Sequence, residues 1–442
     1  MEEILKGLSA CSCGRSHTTD LKKVVIKNGA LSEVPRLMQE GGFKRAFVVA
    51  DQNTERAGGR ALTRILNEAG IPYSAFIYLD RELVPDEQAL GRFLVHFDPK
   101  CDVIIAVGSG TLNDLARFVS FRLGIPYIIA ATAPSMDGYA STVAPLITNS
   151  MKTTYTAKTP WAIVADLDVL AESPPDMIAA GFGDILGKFT AAIDWQLSTL
   201  INGEYYCEEV AALMRSALDR TLALQNDLTS RSNAALHSLM EALIISGIAM
   251  SFVGNSRPAS GAEHHLAHYW EMQYLFSGRQ PVLHGTKVGI ATWLVVKLHE
   301  HLLNAGLGPD DIRALPRQFD QEEWEREIRR VYRQGAPEVL HLEAASGKND
   351  LQKRAERLQI IAQRWDEIQK LISSLPPAAE IIRLITAVGG PAYPGEIGLT
   401  QDLVHDSLLY AKELRNRYTI LQLLWDLGLL EAYAERIAEE VF

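Results

Sequence analysis

The stretch VIIAVGSGTLNDLARFVS, residues 103–120, reads as a buried strand, a turn built on Gly108 and Gly110, and a helix. A short apolar run that breaks at glycine into a pattern of helical spacing is the unit of a parallel sheet. The same alternation extends to both sides. VVIKN (24–28), RAFVVAD (45–51), SAFIYLD (74–80) and PYIIAA (126–131) are strand-length apolar runs, and ERAGGRALTRILNEAG (55–70) and DEQALGRFLVHF (86–97) lie between them with apolar residues at helical spacing. This order predicts a Rossmann-like α/β domain, a parallel sheet with helices on both faces. ITNSMKTTYTAKTPWAIVADLDV (147–169), rich in Thr and β-branched residues, is read as a hairpin and a last strand.

The character changes at AESPPDM (171–177), where proline falls in the first turn of a helix. From there to Phe442 the patterns are long, amphipathic and helical. The expectation is an α/β dinucleotide-binding domain over 1–172 and an all-α metal- and substrate-binding domain over 173–442. GPDDIRALPRQFD (308–320) is expected as a surface connection. Ligands of open α/β sheets bind beyond the carboxyl ends of the strands, so the active site is expected in the cleft between the two domains.

A chain of 442 residues exceeds the size at which single cores stop growing, which agrees with two domains. The net charge of -11 leaves no basic surplus for a polyanion, so no nucleic-acid partner is expected, whereas a small anionic substrate needs only local cations. No apolar run reaches the ~18 residues of a spanning helix. The start MEEILKGLSA carries no basic leader, so a cytoplasmic location is expected. The four cysteines are too few for a disulfide framework. CSCGRSH (11–17) looks like half a zinc site, but no other Cys/His cluster has the matching spacing, and it is read as a turn with reduced thiols.

The helix opening near Thr111 points N–H groups at the Gly108–Gly110 turn, a ready anion site. The third glycine of the usual dinucleotide fingerprint is replaced by Asn113, so a plain βα turn is the competing reading. Asp51, at a strand end, can accept ribose hydroxyls. ATAPSMDGYAS (131–141) places Thr132, Ser135, Asp137 and Ser141 after another strand.

AAGFGDILGKF (179–189) sets Asp184 inside an apolar helical pattern, and a buried aspartate is costly unless paired or metal-bound. In GAEHHLAHYWE (261–271), His264 and His268 share a helix face. His284 opens another helix in QPVLHGTKVGIATWL. A core histidine or a helix cap explains each alone. One carboxylate and two imidazoles together match an open catalytic metal site for zinc, nickel, iron or manganese. Spacing alone permits either His264 or His268 as a ligand.

GSGTLND, ATAPSMDGYAS, GFGD, SRPASGAEHHLAH and HGTKVG occur in this order. The chain resembles the sn-glycerol-1-phosphate dehydrogenases, in particular their AraM-type bacterial branch, within the superfamily of iron-containing alcohol dehydrogenases, glycerol dehydrogenases and dehydroquinate synthases. The likeness spans residues 20–300. It implies that Gly108, Ser109, Gly110, Thr111 and Leu112 hold the pyrophosphate of NAD(H) or NADP(H), with Thr132, Ala133, Pro134, Ser135 and Ser141 also at the cofactor. It implies Asp184, His264 and His284 as ligands of one divalent metal, zinc or nickel, with Asp184 also at the substrate. Asp137 and His268 would face substrate, His268 as the proton-relaying residue. The implied reaction is reversible reduction of dihydroxyacetone phosphate to sn-glycerol 1-phosphate, serving phospholipid biosynthesis or another glycerophosphate product. Arg257, and Lys287 one turn after His284, are the candidate cations for the substrate phosphate. A homo-oligomer, first a dimer, is expected. The competing readings are a glycerol dehydrogenase, a dehydroquinate-synthase-like lyase, and a non-catalytic sugar-phosphate or dinucleotide binder.

Overall fold

The computed structural model describes residues 1–148, 151–315 and 319–442. The chain divides into two compact units. One is Met1–Ile185 with Cys207–Ser256 and Ala387–Gly389; the other is Leu186–Tyr206, Arg257–Thr386 and Gly390–Phe442. The first unit therefore takes in segments beyond residue 172.

The first unit is built on a parallel six-stranded sheet. Its strands are β1 (Lys23–Lys27), β2 (Ala46–Asp51), β3 (Tyr73–Tyr78), β4 (Val103–Gly108), β5 (Tyr127–Ala131) and β8 (Ala162–Asp166), in the order β1-β8-β5-β4-β2-β3. Val143–Thr148 (β6) and Met151–Thr156 (β7) form a separate antiparallel pair, as the Thr-rich stretch predicts; its residues 149–150 lie outside the described residues. Strands β4, β5 and β8 are buried at every position, which is why they read as unbroken apolar runs rather than alternating ones. On one face Val48, Ala50, Ile105, Val107, Ala130 and Val164 pack with Leu37, Met38, Leu62 and Leu66 of the flanking helices. The register sets Gly108 beside Ala131, so both chain turns leave the sheet at the same level.

Helices α1 (Gly110–Leu123), α2 (Pro175–Leu186), α4 (Glu208–Ala223) and α5 (Asn233–Val253) belong to this unit, α2 up to its last residue, while α3 (Lys188–Asn202) belongs to the second. By length and composition α5 is apolar enough to cross a membrane, with mean hydropathy 1.7, but 72% of that window is buried inside the protein. It packs as a core helix.

Residues 8–17 form a hook in the first unit. Leu8 and His17 exchange both backbone hydrogen bonds at 2.9 Å, and the Gly14 N–H donates to the Cys11 carbonyl at 3.0 Å. The hook brings Cys11, Cys13 and His17 to Cys207, the residue before α4. The reading of CSCGRSH as a turn without further donors is thereby corrected: the missing donor lies 190 residues further on.

The second unit is helical throughout; among the described residues no strand occurs after Asp166. Its site is carried by α6 (Ala262–Phe276) and α7 (His284–Leu303). Asp194 of α3 fixes two helix starts at once. Its Oδ2 accepts the Ala262 N–H and its Oδ1 the Ile420 N–H, each at 2.7 Å. Within 308–320 the chain forms a helix, Pro309–Ala314, and residues 316–318 lie outside the described residues.

Candidate active site

The nucleotide side of the first unit is set by the glycine turn. A Cβ on Gly108 would stand 2.6 Å from the Leu112 side chain, so the turn is closed to larger residues. Helix α1 starts directly after it, and no side chain caps its first turn. Those N–H groups and the helix dipole form an anion cradle. The Thr132 N–H donates to the Gly108 carbonyl at 3.1 Å, which ties the β5 turn to the β4 turn. Residues 108–112 and 132–135 thus share one edge of the sheet. The second glycine-dependent approach is at α2: a Cβ on Gly181 would stand 1.8 Å from the Pro134 carbonyl oxygen. The first glycine of GFGD lets α2 rest on the nucleotide turn.

Asp51 caps the helix after β2, its Oδ1 accepting the Asn53 and Thr54 N–H groups at 2.8 Å each. Ser141 lies in the short segment that leads into β6. Its hydroxyl sits in a local turn with Val143, accepting the Val143 N–H at 3.1 Å and donating to the Val143 carbonyl at 3.2 Å. It is a turn-former, because a serine two residues before a strand finds the strand's first backbone groups within reach.

Asp137 and Asp184 are both buried. The Asp137 N–H donates to Asp184 Oδ2 at 3.0 Å, and the Ser246 hydroxyl of α5 donates to Asp137 Oδ2 at 2.8 Å.

In the second unit α6 and α7 bring three imidazoles together. The His264 and His284 rings are 5.3 Å apart, His268 and His284 also 5.3 Å, and His264 and His268 6.1 Å. Each ring has a carboxylate at Nδ1: Glu263 for His264 at 2.8 Å, and Glu271 for both His268 and His284 at 2.9 Å. An ionised carboxylate only accepts, so each Nδ1 carries the proton and the ligating lone pair falls on Nε2. This is the carboxylate–histidine arrangement of metal sites. His268, Glu271 and His284 also offer donor atoms within 4.8 Å of one another. Glu263 is fully buried. Burial pushes its carboxyl up, but the bonds from His264, the Thr190 hydroxyl and the Gly261 N–H outweigh that and leave it below the usual carboxylate value.

His265 faces away from this group. It is buried, neither ring nitrogen has a hydrogen-bond partner among the described residues, and burial with the Arg415 and Arg417 charges holds its pKa well below the ordinary imidazole value. The two candidate phosphate cations each have a carboxylate partner within this unit. Arg257 donates through Nε and Nη2 to both oxygens of Glu204, at 2.8 and 2.5 Å, and through Nη1 to the Tyr418 carbonyl. Lys287 stands 3.2 Å from Glu271 Oε1 and donates to the Val282 carbonyl. Arg257 lies in the turn before α6 and Lys287 in the first turn of α7, and each has a carboxylate and a carbonyl within reach. Sequence reading missed Glu263, Glu271, Arg415 and Arg417. Burial lowers the Arg415 pKa, while the Glu271 charge raises it. Arg417 is pulled to about 9 by burial and by Arg415 and Arg257. Arg257, Lys348, Lys353, Arg357 and Arg417 line a cavity of about 400 Å³ in this unit.

The profile of the iron-containing alcohol dehydrogenases matches residues 25–174. The chain is 35% identical to the glycerol-1-phosphate dehydrogenase [NAD(P)+] of Halalkalibacterium halodurans over 417 residues, 93% of this chain and 94% of that one. It is 32% identical to that of Bacillus subtilis over 91% of each, and 31% identical to that of Methanosarcina mazei over 63% of this chain and 76% of that one. The chain belongs to the glycerol-1-phosphate dehydrogenase family within the iron-containing alcohol dehydrogenases. Its fold is shared with the glycerol dehydrogenase of Schizosaccharomyces pombe (TM-score 0.60, 15% identity, 96% and 93% covered) and with a 1,3-propanediol oxidoreductase (TM-score 0.60, 17% identity, 96% and 98% covered).

Proposed function

We propose that the protein catalyses the reversible, NAD(P)H-dependent and metal-dependent reduction of dihydroxyacetone phosphate to sn-glycerol 1-phosphate. The observation that carries this is the imidazole group of α6 and α7, each ring paired at Nδ1 with a carboxylate, in a chain related along nearly its whole length to named glycerol-1-phosphate dehydrogenases. The sheet part, 1–172, takes the nucleotide; the helical part, 173–442, takes the metal and substrate.

Asp184, His264 and His284 are the proposed ligands of one divalent ion. The donor set fits: two neutral imidazoles with Nε2 as ligating atom and one anionic oxygen suit zinc or nickel. When bound, such an ion polarises the substrate carbonyl as a Lewis acid. Residues 108–112 bind the pyrophosphate through the uncapped N-terminus of α1, with 132–135 beside them. Asp51 holds a ribose hydroxyl, and its charge favours NADH over a cofactor bearing a 2′-phosphate.

His268 is the proton carrier. Glu271 fixes its ring, and the protonated ring presents an Nε2–H to the substrate oxygen. The same carboxylate backs His284, so a single residue aligns proton carrier and ligand. Asp137, held by Ser246, is the acceptor for a substrate hydroxyl. Arg257 and Lys287 are the candidate cations for the substrate phosphate, each also paired with a carboxylate of the helical part. A homodimer and a cytoplasmic setting complete this reading.

The test is product analysis. Purified protein given dihydroxyacetone phosphate and NADH or NADPH should yield the 1-phosphate enantiomer of glycerol phosphate. Turnover of glycerol with no turnover of the phosphorylated ketone would replace this reading by that of a neutral-polyol dehydrogenase.

A further inference from the structure

The hook at residues 8–17 carries donors that the catalytic reading does not use. Cys11 Sγ lies 3.5 Å from Cys207 Sγ, Cys13 Sγ 3.3 Å from His17 Nε2, and Cys207 Sγ 3.4 Å from the same nitrogen. All four donor atoms lie within 4.8 Å of one another. A zinc tetrahedron with Zn–S of about 2.3 Å and Zn–N of about 2.05 Å has S···S edges of about 3.8 Å and S···N edges of about 3.6 Å. The observed separations need to open by only a few tenths of an ångström to enclose an ion.

The histidine is set for ligation. His17 Nδ1 is 2.9 Å from the Phe252 carbonyl oxygen. A carbonyl only accepts, so Nδ1 carries the proton and Nε2 turns its lone pair to the three sulfurs. His17 is fully buried, and Cys11 and Cys207 are buried with it. Three sulfurs and one imidazole, with no fourth position left open, are the donors of a closed structural site rather than a catalytic one. A chain of this size does not need the cysteines as disulfides.

We propose that Cys11, Cys13, His17 and Cys207 form a second, structural zinc site, separate from the catalytic metal. On binding, the three thiols release their protons to solvent and the zinc takes four protein ligands. The ion pins the N-terminal hook to the start of α4, and through His17 to the last turn of α5. It acts as a clip across 190 residues of chain.

The test uses the full-length His264→Ala/His284→Ala variant, which removes two proposed catalytic ligands, expressed with zinc and purified under reducing conditions. The expected result is one zinc per chain, and an X-ray absorption spectrum of three sulfurs at about 2.3 Å and one nitrogen at about 2.0 Å. Loss of all zinc from this variant while it remains folded, or a shell of nitrogen and oxygen only, overturns the proposal. Because Cys207→Ser alone can fail to fold, a second measurement uses the wild-type protein. Mercurial titration should release one zinc per chain only as three thiols react, with a fall in Tm. Thiol modification that releases no zinc overturns the proposal equally.

Discussion

Glu271 Oε1 accepts the Nδ1 proton of His284 at 2.9 Å, across the turn between α6 and α7. Its other oxygen does the same for His268. One carboxylate therefore sets the orientation of two imidazoles with different proposed tasks. Glu271→Gln keeps the shape but replaces one acceptor oxygen by a donor. Removing such a backing partner costs about 10–100-fold in metal affinity or activity. The expected outcome is metal loss at chelator concentrations that the wild type withstands, with Tm of the metal-free protein unchanged within a few degrees.

His268 and His284 separate under substitution. His284→Ala should abolish metal retention at the catalytic site. His268→Ala should retain the ion and lose about 10²–10⁴-fold in kcat, the usual contribution of a positioned acid–base group. Metal analysis beside steady-state kinetics checks both. If His268→Ala loses the ion instead, His268 is a ligand, an assignment its 5.3 Å approach to His284 permits.

Gly181→Ala is predicted to act on the nucleotide turn from outside it. The added methyl would lie 1.8 Å from the Pro134 carbonyl oxygen, so backbone must move. Overpacking of this kind costs about 1–3 kcal/mol. The expected result is a lowered Tm together with a raised KM for NAD(P)H, read by thermal denaturation and kinetics.

In the second unit Glu413 is buried against Lys348 and Lys412. Burial pushes its carboxyl up, but the two ammonium charges outweigh it and hold the pKa at about 2. A depressed acid stabilises the fold above its unfolded value and loses that contribution as pH falls through the folded one. Stability should therefore decline between about pH 4.5 and about pH 2 in the wild type. Glu413→Gln should be less stable by about 3–5 kcal/mol at neutral pH, since it leaves buried lysines uncompensated, and should show less of that acid decline. Denaturant melts across pH check the sign.

Much of this was legible in the residues, for physical reasons. Strands buried on both faces write themselves as VIIAVG and YIIAA, and glycine marks where the backbone meets Leu112 or Pro134. The pairing of Glu271 with His268 was readable as well, because residues three apart share a helix face. It passed unnoticed because a helical glutamate reads as a solvated one. What spacing cannot encode is a partner from a distant segment. Cys207 joins Cys11 and Cys13 only through the fold, Glu204 claims Arg257 from beyond the end of α3, and Val143 turns Ser141 inward. Asp51 serves as a helix cap whatever else it binds, since a strand-end aspartate before a helix meets the first N–H groups.

The proposed reduction of a phosphorylated ketone depends on a divalent ion that the imidazoles of α6 and α7 would hold. The most direct measurement is NADH oxidation with dihydroxyacetone phosphate before chelation, after chelation, and after single metals are restored. The predicted result is oxidation that disappears with the chelator and returns with zinc or nickel. Oxidation at an undiminished rate in protein verified to carry no metal would contradict it.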